Sequence, residues 1–122
     1  EINALHIGEI EIVTTPGEIY PEIVFGGIEN PEGADFKIAP VETPPLFEAL
    51  KGTLKMNFNL CNDEVGYIVP KSQWDQEAPY TYGRDTAPYG EIYTGNPEVA
   101  PVMHKVSMEM INRLHQSLDT AP

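Results

Sequence analysis

Between residues 54 and 61, apolar and polar side chains alternate without interruption. Leu54, Met56, Phe58 and Leu60 fall on one side, Lys55, Asn57, Asn59 and Cys61 on the other. A period of two belongs to an extended chain with unlike faces, so this stretch predicts a strand. ALHIGEIEIVTTP predicts a hairpin turning at Gly8-Glu9, where glycine tolerates the positive φ of a two-residue turn. Its second arm, Ile10 to Thr15, carries Ile10, Ile12 and Val13, so at least one face is buried. Near the C-terminus the pattern becomes helical. Val99, Met103, Val106, Met110 and Leu114 form one stripe along NPEVAPVMHKVSMEMINRLHQSL. Asn96 suits the N-cap, Pro97 the first helical position and Glu98 the positive end of the helix. Pro101 removes one hydrogen bond near the start, so regular helix is expected from about there.

The intervening segments are shorter. EIYPEIVFGG opens a short helix stopped by Gly26-Gly27, and LFEALKG gives one of about two turns closed by Gly52. Residues 28–45, with Pro31, Pro40, Pro44 and Pro45, follow neither period and form a long excursion. Residues 71–95 form a loop rich in aromatics: Trp74, Tyr80, Tyr82, Tyr89 and Tyr93. These two loops are the segments expected to move most. VGYIVP continues as a strand end or corner. The order strand, corner, helix, strand suggests a βαβ unit. With the strands ending at Thr15 and Asn62 parallel, a right-handed crossover brings both carboxyl ends to one sheet edge. Open α/β sheets usually build their sites there. The expected fold is therefore α/β (or α+β): a mixed sheet with a βαβ-type crossover, a Gly-turn hairpin and one long C-terminal helix. Residues 1–122 are expected to be one piece of a larger domain.

Charge narrows the partners. Nineteen acids against seven bases give a net charge of −12 over 122 residues, which repels phosphate backbones and excludes nucleic acid as a natural partner. Cys61 is the sole cysteine, so no internal disulfide forms. No apolar run approaches the roughly 20 residues that span a bilayer. A chain that opens on Glu1 with no cleavable signal is expected to lack an upstream portion.

Candidate chemistry is sparse. His104 and His115 are eleven residues apart, about 16 Å along a helix, too far to share one ion. They are expected on a flank of the helix, away from its apolar stripe. His6 stands alone in a strand, and none of the three is expected to be a ligand. Glu18 follows the Pro16-Gly17 corner, where it reads either as a first-turn acid or as a carboxylate aimed into a site. In NLCNDEVGYIVP a strand leaves through Asn62 and Asp63, Gly66 permits a tight corner, and Tyr67 is presented beyond it. An ordinary acidic turn with a packed tyrosine is the plainer reading.

Taken in order, IGEIEIVTTPGE and NLCNDEVGYIVP resemble the C-terminal part of the catalytic domain of neutral, non-lysosomal ceramidases. The resemblance spans residues 5 to about 93. It implies a zinc amidohydrolase acting on the amide of ceramide or a related N-acyl lipid. It also implies that Glu18 and Tyr67 are zinc ligands. Two histidine ligands, a serine nucleophile and a substrate-positioning arginine would come from upstream or from a companion chain, so no catalytic residue is assigned here. The chain alone is expected to be inactive and to bind Zn2+ weakly or not at all. A secreted, periplasmic or cell-surface location is implied in the same way. Ile19 and Tyr20 follow the corner where the family carries a threonine two residues on, and Glu64 stands where it often has an aromatic. The contrasting reading is a non-catalytic structural or lipid- or glycan-binding fragment, with Trp74, Tyr80, Tyr82, Tyr89 and Tyr93 as its platform.

Overall fold

The computed structural model describes residues 1–120. The hairpin forms as β1 (Ala4–Ile7) and β2 (Ile10–Thr14), antiparallel, with His6 opposite Glu11 and Leu5 opposite Ile12. Beyond the Pro16-Gly17 corner come a two-residue strand, β3 (Glu18–Ile19), and a short helix, α1 (Pro21–Phe25), stopped at Gly26. After the irregular excursion, α2 (Leu46–Ala49) leads into β4 (Leu54–Phe58). β4 lies parallel to β2, with Ile12 beside Met56, so the connection between them is the expected βαβ-type crossover. The sheet order is β1-β2-β4, and β5 (Tyr67–Ile68) pairs separately with β3. Two 3₁₀ turns, Lys71–Gln73 and Thr81–Gly83, precede α3 (Tyr89–Ile92) and the long α4 (Val99–Asp119). The class is a mixed α/β arrangement.

α4 packs across β1, β2, β5 and α2. Between these elements Val13, Ile23, Leu46, Leu50, Ile68 and Ile111 are sealed from solvent. Each contributes about 1.5–3 kcal/mol by leaving water. The helix is rotated from the phase its apolar stripe suggests. Ala100, His104, Ser107, Ile111 and His115 are its buried line, while Val99, Met103, Val106 and Met110 pack half-buried beside it. Small Ala100 and Ser107 let the helix approach closely, and both histidines find partners in distant segments. His104 Nε2 donates to the Pro44 carbonyl at 2.8 Å, and His115 Nε2 lies 3.2 Å from Glu11 Oε2. The histidines are thus on the inner face, not on a flank.

Glu11 is almost fully buried and also accepts the Lys51 N–H at 2.7 Å. Burial pulls its carboxyl upward, but the Lys51 and Gly52 amides and His115 outweigh that and hold it below its ordinary value.

Two further expectations are corrected, and β4 shows which of its faces is covered. α2 is a single turn ended at Leu50, whose N–H bonds the Leu46 carbonyl. Gly52 is not its cap. A Cβ at Gly52 would stand 2.8 Å from the Glu11 nitrogen, so glycine is there to let β2 approach. α4 begins at Val99, because the Asn96 side chain and carbonyl are used in a turn before it, on the Glu98 and Val99 amides. In β4 the polar positions face inward: Lys55 Nζ donates to the Phe47 carbonyl and Asn57 Nδ2 to the Val13 carbonyl. Leu54, Met56 and Phe58 are left exposed on the other face.

The two long loops brace each other. Ser72 Oγ donates to the Glu29 carbonyl, Glu29 N–H to Gln73 and Lys71 N–H to Glu42. The Asp35 carboxylate caps the Gln76 and Glu77 amides. Of the aromatics in the second loop, Trp74 is buried within this brace.

Candidate functional site

Two glycine corners meet where β2 and β4 end. A Cβ at Gly17 would lie 2.4 Å from the Gly66 carbonyl oxygen, so the Pro16-Gly17 corner rests directly on the Gly66 backbone. Gly66 has φ +84, and a Cβ on it would lie 2.0 Å from the Tyr93 carbonyl oxygen. Only glycine fits such double contact. Val65 N–H donates to Pro16 O at 2.8 Å, Glu18 N–H to Gly66 O at 3.0 Å and Tyr20 N–H to Ile68 O at 3.1 Å. Those bonds fix β3 and β5 in parallel register, with Glu18 beside Tyr67 and Ile19 beside Ile68. Ile19 and Ile68 are buried and anchor the pair from below. Upstream of Tyr67, Asp63 and Glu64 bond the Glu64 and Gly66 amides, shaping the corner that the short polar residues suggest. Tyr67 N–H donates to the Tyr93 carbonyl at 3.3 Å, and the Thr94 hydroxyl sits 2.9 Å from the Tyr67 carbonyl.

Glu18 and Tyr67 are therefore neighbours, as the order of elements suggests, on a small second sheet at the carboxyl ends of the main strands. The Tyr67 phenol is pushed up to about 12, first by the Glu18 carboxylate beside it, then by partial burial. Its ring meets Tyr20 edge-on at 6.5 Å and Tyr89 edge-on at 5.6 Å, and Tyr89 leans on Tyr93 at 4.4 Å. The Tyr20 phenol is raised to about 12 as well, by burial and then by Glu91. Glu91, nearly sealed from solvent with one carboxylate oxygen unpartnered, is pushed up to about 7, chiefly by burial, with the charge of Asp75 adding to it.

Tyr20, Tyr89, Thr94 and Glu91 join the site without a periodic signal in the sequence. Gly90 lets Tyr20 pack against this loop: a Cβ there would lie 2.3 Å from the Tyr20 hydroxyl oxygen.

The pair has donor chemistry suited to a hard or borderline cation. A divalent ion held between the two side chains would see a carboxylate and a phenolate. Among the described residues no group of three or more His, Cys, Asp and Glu side chains is placed to hold a metal. His6 and His115 are engaged with Glu11 and His104 with the Pro44 carbonyl, all away from Glu18. No family model matches the sequence, and no curated protein or solved structure matches it either.

Proposed function

We propose that these residues are part of a zinc-dependent amidohydrolase similar to the neutral ceramidases, acting on the amide of ceramide or another N-acyl lipid. Glu18 and Tyr67 supply two of the zinc ligands. The observation that supports this reading is the parallel β3–β5 register, which sets a carboxylate and a phenol side by side at the carboxyl ends of the strands. The remaining ligands, the nucleophile and the donors to the developing oxyanion come from an upstream portion of the same domain or from a companion chain. Zinc, when bound, polarises an amide carbonyl and acidifies a bound water. For its part this chain sets Tyr67 beside Glu18 in parallel register, presenting a carboxylate and a phenol to one ion. A secreted, periplasmic or cell-surface location belongs to the same proposal.

Zinc titration by calorimetry, beside an amidase assay with a fluorescent ceramide, tests the reading on the 122-residue chain and on a longer chain with its upstream segment. Weak zinc binding and no turnover are expected from the 122 residues. Activity is expected from the longer chain, with Glu18→Ala abolishing it and Tyr67→Phe reducing it about 100-fold or more. Full zinc content in the longer chain carrying Glu18→Ala would refute the ligand assignment.

A second reading has one specific observation in its favour. Tyr82, Tyr89 and Tyr93 are all more than half exposed, and the last two stack beside Tyr67. That surface suits a glycan or lipid platform in a non-catalytic fragment, although Trp74 is too buried to belong to it. Binding of a short-chain ceramide that is unaffected by Glu18→Ala but lost with Tyr89→Ala would favour it.

A further inference from the structure

The main sheet has one covered face and one open one. Helix α4 and α2 cover the side carrying Glu11, Val13, Lys55 and Asn57. On the other side Leu5, Ile7, Leu54, Met56 and Phe58 are between 38% and 61% exposed, around a buried Ile12. Their registers, Leu5 beside Ile12 and Ile12 beside Met56, make this one continuous apolar surface. About half of each of five large side chains comes to roughly 500 Å², within the range that marks interaction surfaces.

Beside it, β4 is an edge strand. Leu54 donates its N–H to Glu9 O at 3.1 Å and Phe58 accepts from Thr15 at 2.9 Å, so these residues turn their backbone to β2. Lys55 and Asn57 turn theirs the opposite way, where no strand follows among the described residues. Natural edges are often guarded by an outstretched lysine. Here Lys55 is tied back to the Phe47 carbonyl at 2.6 Å and guards nothing. Along this edge runs a cleft of about 400 Å³, walled by Pro21, Phe25, Phe47, Met56 and Phe58. Phe25 and Phe47 meet edge-on at 4.9 Å to form its far wall.

We propose that the open edge of β4, with the cleft and apolar face beside it, is a docking surface for a partner polypeptide. That partner adds one β-strand to the sheet, alternating apolar residues with neutral or basic ones. Unpaired peptide groups at Lys55 and Asn57 call for an extended chain, since a lipid or small ligand cannot satisfy two such groups in strand spacing. The apolar positions of the added strand continue the face of Met56 and Phe58. A second copy is a poor occupant. It carries the same −12 charge, and roughly 500 Å² is well short of the about 800 Å² per partner of a standard interface. A neutral or basic strand meets complementary charge instead, and its backbone hydrogen bonds supplement the limited area. Ile19 and Pro21 line the same cleft, so the added strand ends close to Glu18. On the zinc reading, that is where outside ligands are required.

Amide exchange followed by NMR on the labelled 122-residue protein tests this without any metal. The probes are a set of eight-residue peptides alternating Ile or Val with Thr or Lys, at millimolar concentration. In the free protein the Lys55 and Asn57 amides should exchange fast. With peptide they should slow by about tenfold or more while the β1 amides do not change. Phe25→Lys, at a residue already 68% exposed, should abolish the protection with the fold intact, and Lys55→Pro should block the edge. No protection by any peptide, protection confined to β1, or a dimer in sedimentation with Lys55 and Asn57 already protected would each overturn the proposal. Because the readout is at β4, its failure leaves the zinc reading standing, and the reverse holds.

Discussion

Replacing Gly66 with alanine should damage this protein far more than the same change at Gly8. Both glycines have positive φ, +84 at Gly66 and +62 at Gly8, so both substitutions incur the left-handed backbone penalty of about 1–2 kcal/mol. The difference is the neighbour. At Gly8 a Cβ meets nothing within 4 Å, whereas at Gly66 it would lie 2.0 Å from the Tyr93 carbonyl oxygen and 3.2 Å from its carbon. Relief needs a backbone shift on the order of 1 Å between β5 and the chain after α3, and overpacking of that kind costs about 1–3 kcal/mol. Gly66→Ala should therefore cost about 2–5 kcal/mol, a large part of the stability of an ordinary domain, and Gly8→Ala about 1–2. Urea unfolding monitored by circular dichroism gives both values. The shift should also loosen Tyr67 from Glu18, so spectroscopic titration of the tyrosines should show one phenol returning toward its ordinary range. If the two substitutions cost the same within about 1 kcal/mol, the close packing of the two corners is not what holds β3 and β5 in register.

Other expectations follow from the charges. Glu91 has a carboxyl raised from 4.5 to about 7 in the fold, so folding is favoured by its proton. Stability from this group is full below about pH 4.5 and lost as pH rises through 7, and Glu91→Gln should stabilise at pH 8.5 by up to about 3 kcal/mol while changing little at pH 4. An equal effect at both pH values would show that Glu91 is not buried as a titrating acid. Glu18→Gln should let the Tyr67 phenol titrate nearer 10, because Glu18 is the leading cause of its rise to about 12. An unchanged titration would show that Glu18 is not what raises the phenol.

Features that depend on neighbours along the chain were legible in the sequence. Gly8-Glu9 makes the hairpin because a two-residue turn needs a residue free to take positive φ. The strand expected over 54–61 follows from strict alternation, and it forms over Leu54–Phe58. The adjacency of Glu18 and Tyr67 could be read from two sharp corners placed just after two parallel strands. Whatever depends on who covers whom was settled only by the folded chain. Alternation in β4 shows that its faces differ, but not which one is covered. Lys55 and Asn57 point inward because the Phe47 and Val13 carbonyls wait there, and Leu54, Met56 and Phe58 are left open. The rotation of α4 was illegible for the same reason. His104 and His115 look like polar residues bound for solvent until the Pro44 carbonyl and Glu11 are brought to them from far along the chain. Tyr89 comes to rest on Tyr67 only once the loop after β5 has folded back over it. A local period records how a segment alternates, but the hydrogen-bond partner that makes a buried polar side chain tolerable is supplied from elsewhere in the fold.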